Sequence, residues 1–299
     1  MGTALGAALA VLVVASMGPV SAEPIRLGSV SSEPARDIKN FQPFADYLAK
    51  RLRPEGVDRG VVMVAGSLPQ MASFLREGRV DLYIDSPFPT LGVRRLSGSS
   101  EVLLRRWKGG VGEYHSVIFT RRNIGIDKLE GLVGKVLAFE DPTSTASYFL
   151  PKASLIQQGF TVRRYPDVTA GVAAGEIGYV FSDDDENTIA WVLRGKVLAG
   201  AINSVAYERL TPDRAANLMV LHRTITVPRH IVSYRVGLDP SLVGRIKAIL
   251  LDMSGSEEGR KVLEQFEKTT RFDELPGGPQ QALGPLEKLT GLLRVELGL

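Results

Sequence analysis

The chain has 299 residues, enough to bury more than one hydrophobic core, and its 44% hydrophobic and 23% charged content is that of an ordinary globular protein. A net charge of +3, carried by scattered basic residues, argues neither for nucleic acid as a partner nor for a strongly basic membrane face, and no nucleic-acid partner is expected. With no cysteine, disulfides, thiolate metal sites and cysteine nucleophiles are excluded.

Residues 1–22 differ from the rest. Ala4 to Val14 is small and apolar apart from Gly6, no charge precedes Glu23, and Val20-Ser21-Ala22 offers small residues where a signal peptidase cuts. The apolar run is shorter than the about 20 residues that span a bilayer. The expectation is a cleaved secretory signal, a mature chain from near Glu23, and a periplasmic location, where a cysteine-free protein must rest on its core.

After this segment strands and helices alternate. Ile25 to Val30 reads as a buried strand, and Phe41, Phe44, Ala45, Leu48 and Leu52 recur at helical spacing. Val61 to Val64 is predicted as a strand, Leu68 to Arg76 as a helix, and Val80 to Ile84 as a strand followed by a short helix. Tyr114 to Thr120 reads as one longer strand, and further strands are expected at Val136 to Phe139, Ile177 to Phe181 and Val197 to Ala201, each with a helix after it. The pairs Arg94-Arg95, Arg105-Arg106 and Arg121-Arg122 read as solvated faces. Helices are expected at about 240–253, 257–267 and 280–297, the last two separated by Gly277-Gly278-Pro279. The alternation predicts an α/β protein with mostly parallel sheets flanked by helices. No Pro/Gly/Ser-rich linker divides the chain, which fits two lobes joined by crossing strands at Tyr114 to Thr120 and Ile225 to Tyr234.

Enzyme signatures are missing. The sequence has no phosphate-gripping G-x-x-x-x-G-K-[ST], no G-x-G-x-x-G after a strand, no G-x-S-x-G elbow and no H-E-x-x-H spacing among His115, His222 and His230. Three runs at strand ends remain. Glu140-Asp141-Pro142-Thr143-Ser144-Thr145-Ala146-Ser147 lies between a strand and a helix. It is either a plain hydroxyl cap or a helix start whose N–H groups and hydroxyls hold an oxyanion. Ser182-Asp183-Asp184-Asp185-Glu186-Asn187 is either a capping cluster or a carboxylate wall at the carboxyl end of a strand, where open α/β sheets bind ligands. Asp85-Ser86-Pro87 is a helix start explained by a Ser cap with Pro in the first turn, and it too sits at a carboxyl end. Tyr114 and Pro228-Arg229-His230 fall at the suspected crossings, facing a cleft between lobes.

Together these pieces resemble the periplasmic substrate-binding proteins of phosphate, phosphite and phosphonate ABC transporters, over about Ile25 to Met253. The most specific part is Tyr114-His115-Ser116-Val117-Ile118, then Leu129 to Gly134, then Phe139 to Thr145 with Pro151, similar to the family's Tyr-x-Ser strand and D-P-x-S-T-S-G turn. The resemblance implies a two-lobed type II binding-protein fold with its ligand cleft between lobes. Residues 23–118 and 226–299 would form the first lobe and residues 119–225 the second.

It also implies a monomer that binds a small anion by lobe closure, does no chemistry, needs no cofactor or metal, and delivers its ligand to a permease in the inner membrane. A sensor of the same fold that signals to a membrane kinase, or a binder of a different small solute, is the alternative. Carried over by position, Ser144, Thr145, Ala146 and Ser147 would be the anion cradle and Tyr114 a ligand contact. Asp85, Asp185, Arg229 and His230 complete the expected ligand-binding set. Ala146 stands where relatives usually have a second Ser, Asp85 near a usual Tyr, and Asp185 near a usual His. A carboxylate facing an anion costs affinity unless the anion brings a proton or an amine, or Arg229 offsets it.

Overall fold

The computed structural model describes residues 23–293, so the secretory-signal expectation for residues 1–22 lies outside the described residues. The chain opens with β1 (Glu23–Val30), α1 (Pro34–Arg51), β2 (Val57–Ala65), α2 (Leu68–Arg76), β3 (Leu82–Asp85), α3 (Pro87–Ser97) and β4 (Ser100–Lys108). A short β5 (Glu113–Tyr114) precedes β6 (Ser116–Arg121), β7 (Val136–Phe139), α4 (Leu150–Gln157), β8 (Thr161–Arg164), β9 (Glu176–Phe181), α5 (Asp185–Leu193) and β10 (Ala199–Asn203). There follow α6 (Ser204–Glu208), α7 (Pro212–Ala216), β11 (Leu218–Arg223), β12 (Val227–Pro228), β13 (His230–Arg235), α8 (Pro240–Asp252), α9 (Glu257–Gln265), β14 (Thr269–Asp273) and α10 (Gly278–Thr290).

These strands make two six-stranded sheets, ordered β14-β4-β13-β3-β1-β2 and β11-β6-β10-β7-β9-β8. In each, the strands linked through helices pair in parallel: β3, β1 and β2 in the first, β10, β7, β9 and β8 in the second. The other strands pair antiparallel, β13 and β14 because the chain returns to the first lobe from the opposite direction, β6 because it enters the second. Both sheets are therefore mixed. Residues 116–118, expected in the first lobe, lie in β6 of the second sheet.

The expected long strand Tyr114 to Thr120 is broken at His115. Its first part, β5, pairs with β12 in a two-stranded ribbon (Tyr114 opposite Val227, Glu113 opposite Pro228) where the chain crosses out and back. Four strands escaped the sequence pattern: β4, β8, β11 and β14. In β4 the reason is chemical. Arg105 and Arg106, expected on a solvated face, are 7% and 0% exposed, buried by pairing with Asp273, Glu113 and Glu267. Charged residues in a strand hide its alternation.

On α1, Phe41, Phe44, Ala45 and Leu48 bury one face, and Phe44 stacks on Phe266 with ring centroids 4.4 Å apart. Helix and sheet approach so closely that a Cβ on Gly60 would stand 2.3 Å from the Ala45 carbonyl. Helix α10 ends at Thr290, short of the expected 297; residues 294–299 lie outside those described. One body of apolar contact spans the lobes. Leu68, Met71, Phe88, Leu91, Leu283 and Leu286 from the first pack with Ala146, Phe149, Leu150 and Ala153 from the second, and Phe88 stacks on Phe149 at 4.4 Å.

Candidate functional site

Between the lobes lies a cavity of about 490 Å³, walled by strand ends and helix starts. The end of β3 brings Asp85 and Ser86, the turn after β7 brings Glu140, Asp141, Thr143, Ser144 and Thr145, and the turn after β9 brings Asp183 to Asp185. The ribbon contributes Tyr114, with Arg229 and His230 just after it, and β4 ends in Lys108. This is the crevice beyond the carboxyl ends of the strands, where open α/β sheets bind ligands. Of the residues expected from sequence, Ser144, Thr145, Tyr114, Asp85, Asp185, Arg229 and His230 line this cavity; Ala146 and Ser147 lie behind it, buried.

The hydroxyl turn is largely committed to protein partners. Ser144 Oγ accepts the Ser147 N–H at 3.1 Å as an N-cap, and residues 145–149 form one π-helical turn, with the Phe149 N–H reaching the Ser144 carbonyl at 3.0 Å. Thr145 Oγ1 donates to Ser86 Oγ at 2.8 Å and accepts the Phe88 N–H at 2.9 Å, so it ties the second lobe to the start of α3 in the first. Ser147 Oγ donates to Asp185 Oδ1 at 2.8 Å.

Charge is divided across the cleft. Asp185 also accepts from Asn203 Nδ2 at 2.6 Å, yet burial and then the neighbouring Glu140 push its carboxyl up to about 7. Burial raises Glu140 as well, against hydroxyl hydrogen bonds and Arg229. Across from them Asp85 accepts the Tyr83 hydroxyl at 2.8 Å and the Ser86 N–H at 2.6 Å, and burial still lifts it to about 6. Carboxyls displaced by burial and by a like charge, gathered in a cleft, make it a candidate functional site. His230 goes the other way: burial, then Lys108, Arg229 and Arg106, hold its imidazole well below the ordinary value, and it is neutral.

Arg229 is the cation that this arrangement leaves over. Its guanidinium lies 4.4 Å from the centre of the Tyr114 ring, its Nε is buried with no hydrogen-bond partner, and among the described residues no carboxylate pairs with it. Sequence reasoning missed Lys108, because β4 went unrecognised, and Asn203, which looked like an ordinary strand end. It also passed over Glu140 inside the very run it singled out; the signal was a carboxylate directly after an apolar strand.

A cleft between two α/β lobes joined by a crossing ribbon, lined by hydroxyls, carboxylates and a guanidinium with no carboxylate partner among the described residues, defines a two-lobed solute-binding protein of type II. Residues 27–276 match the family model for the periplasmic substrate-binding protein of phosphonate ABC transporters, and the chain belongs to that family. It is 21% identical over 235 residues to the phosphate-import protein PhnD of Mycolicibacterium smegmatis, covering 76% of this chain and 71% of that one. XAC2383 from Xanthomonas citri, solved with chloride bound, is 29% identical with a TM-score of 0.83, over 90% of this chain and 98% of that one. The same protein has been solved bound to ATP, at 28% identity and a TM-score of 0.84, over 92% of this chain and 99% of that one. PhnD1 from Prochlorococcus marinus, in complex with methylphosphonate, shares the fold at 18% identity and a TM-score of 0.66, over 92% of this chain and 99% of that one. Substrate binding, not catalysis, is the family's role.

Proposed function

We propose that the chain captures a small phosphorus oxyanion in the periplasm by lobe closure and, as a monomer, delivers it to an inner-membrane permease. Arg229 carries the reading: its half-exposed guanidinium reaches the cleft with no carboxylate paired to it among the described residues and with a buried Nε that has no partner, a charge that an anion would complete. The bound group would sit against Arg229, Tyr114 and the helix start at Ser144 and Thr145. With the Thr145 and Ser147 hydroxyls engaged by protein groups, charge from Arg229 contributes more than hydroxyls do. His230 adds a neutral edge, and Asp85, near its midpoint at about 6, shares a proton with an acidic oxyanion.

Carboxylates limit the choice of solute. The cavity is lined by Glu33, Asp85, Glu140, Asp141, Asp183, Asp184 and Asp185, but by only three cations, Arg36, Lys108 and Arg229. That balance disfavours a triphosphate, which supports a ligand unlike the ATP seen in the Xanthomonas protein, and favours a phosphonate that also carries an amine for Glu140 and Asp185. Calorimetry of ligand-free protein with phosphate, phosphite, methylphosphonate, 2-aminoethylphosphonate and ATP tests this. The expected order has 2-aminoethylphosphonate ahead of methylphosphonate by about tenfold or more, as for one added charged hydrogen bond. Silence with all four phosphorus oxyanions would overturn the proposal and leave the family untouched.

A further inference from the structure

The main cleft has an annex. Past Asp85, Lys108 and His230, which line both spaces, a second cavity of about 140 Å³ runs into the first lobe, walled by Ser29, Asp37, Arg106 and Glu267. It exceeds the ~30 Å³ that one water occupies in the liquid. Two of the residues that line it carry a buried nitrogen with no hydrogen-bond partner among the described residues: Arg106, 0% exposed, at Nη1, and His230, 8% exposed, at Nδ1. Buried polar groups in native proteins are seldom left unpaired; Arg106 Nη1 can only donate, and His230 Nδ1 donates in one of the two neutral tautomers of its ring.

Arg106 cannot turn to find an acceptor. Its Nε donates to Thr269 Oγ1 at 2.8 Å, its Nη2 to the Phe266 carbonyl at 2.9 Å and to Glu267 at 3.1 Å, and its guanidinium lies 4.0 Å from the centre of the Phe266 ring. Lys108 Nζ meets the same Glu267 carboxylate at 3.0 Å, so two cations share one counter-charge. Glu267 (φ 51°) and Lys268 (φ 56°) are both left-handed, a conformation that costs a non-glycine residue energy and here fixes that carboxylate. The two other acids are occupied. Asp37 accepts from Ser29 Oγ at 2.5 Å and lies 3.8 Å from Arg36, while Asp85 is held by Tyr83 and Ser86.

We infer that the annex is a second anion subsite, taking one small monovalent anion between Arg106 Nη1, Lys108 Nζ and His230. The anion is either a free halide-sized ion or the carboxylate arm of a bound solute. It selects the imidazole tautomer with the proton on Nδ1. The free-ion form stands apart from the proposed oxyanion; only the arm form rests on that reading.

Crystals soaked in sodium bromide should show an anomalous peak within hydrogen-bond reach of Arg106 Nη1 and Lys108 Nζ. Bromide should also raise the melting temperature above sodium gluconate at equal ionic strength, since gluconate is too large for the annex and screening is matched. Lys108→Gln, chosen over the wholly buried Arg106, should lose both effects. Calorimetry in gluconate buffer then compares phosphonoacetate with methylphosphonate: tighter binding of phosphonoacetate, abolished by bromide, assigns the arm form. If no phosphonate binds, the bromide experiments alone decide, using the unsubstituted protein should the variant misfold. Bromide peaks elsewhere only, or a peak in the annex with no melting shift (an adventitious ion only), together with no advantage for phosphonoacetate, would overturn the inference.

Discussion

Two helix starts face each other across the cleft, and in sequence they look alike. In the first lobe Ser86 precedes Pro87 at the start of α3; in the second, Pro142 and Thr143 lead to Ser144 and Thr145 before α4. Their hydroxyls are used differently. Ser144 caps its own helix, whereas Ser86 stands at the cap position without a capping bond and instead receives the Thr145 hydroxyl from the other lobe. One start is closed locally and the other is completed only when the lobes meet. A cap motif thus fixes where a helix begins but not which groups its side chain will bind.

The apolar part of this meeting carries the largest energy. Phe149 is 0% exposed and stacked on Phe88, so Phe149→Ala should cost about 3–5 kcal/mol of stability in denaturant unfolding. A loss under about 1 kcal/mol would show that the lobes are stable apart and that the contact contributes little.

Next in size is the pH dependence of the acidic wall, the second lobe's answer to the cations of the first. Asp185 titrates near 3.8 when unfolded and near 7 when folded, so between these values the folded state holds a proton that the unfolded chain has released. Stability therefore falls as pH rises from about 4 to about 7. Allowing for partial exposure, the loss is roughly 2 kcal/mol. In Asp185→Asn the melting temperature should decline less over this window and be higher at pH 8. An unchanged pH profile would move the strained carboxyl elsewhere, Glu140 first.

Arg229→Gln separates binding from folding. It should weaken oxyanion binding by about 1.5–3 kcal/mol, since one charged hydrogen-bonding group is lost, while the melting temperature of the ligand-free protein holds or rises. A fall in stability with binding intact would make Arg229 a structural cation resting on Tyr114.

Much of the fold was readable because burial imposes periodicity. Helix α2 and strand β7 fall on the residues expected, and the crossing near Tyr114 was visible from the absence of any linker. What was not readable depends on partners distant in sequence. Arg106 looks like a surface residue until Thr269, Phe266 and Glu267 return from some 160 positions away to bury it. The annex, built on that arginine, was invisible for the same reason. Lys108 and Asn203 belong to the site by position alone, and no local pattern distinguishes them from other polar strand ends.

The smallest expected effect gives the sharpest reading of the two helix starts. If Thr145 reaches across to Ser86, removing either hydroxyl breaks the same bond, and the two losses should not add. Thr145→Ala alone also strands the Phe88 N–H, so it should cost more than Ser86→Ala, each on the order of 1 kcal/mol. Together the pair should show a coupling of at least about 0.5 kcal/mol in a double-mutant cycle. Thr145→Ser, which keeps the oxygen, should restore most of the stability. Additive losses would mean that the hydroxyls act separately. Thr145 would then be free to turn toward a ligand, and calorimetry on Thr145→Ala would show it as weakened oxyanion binding with little change in melting temperature.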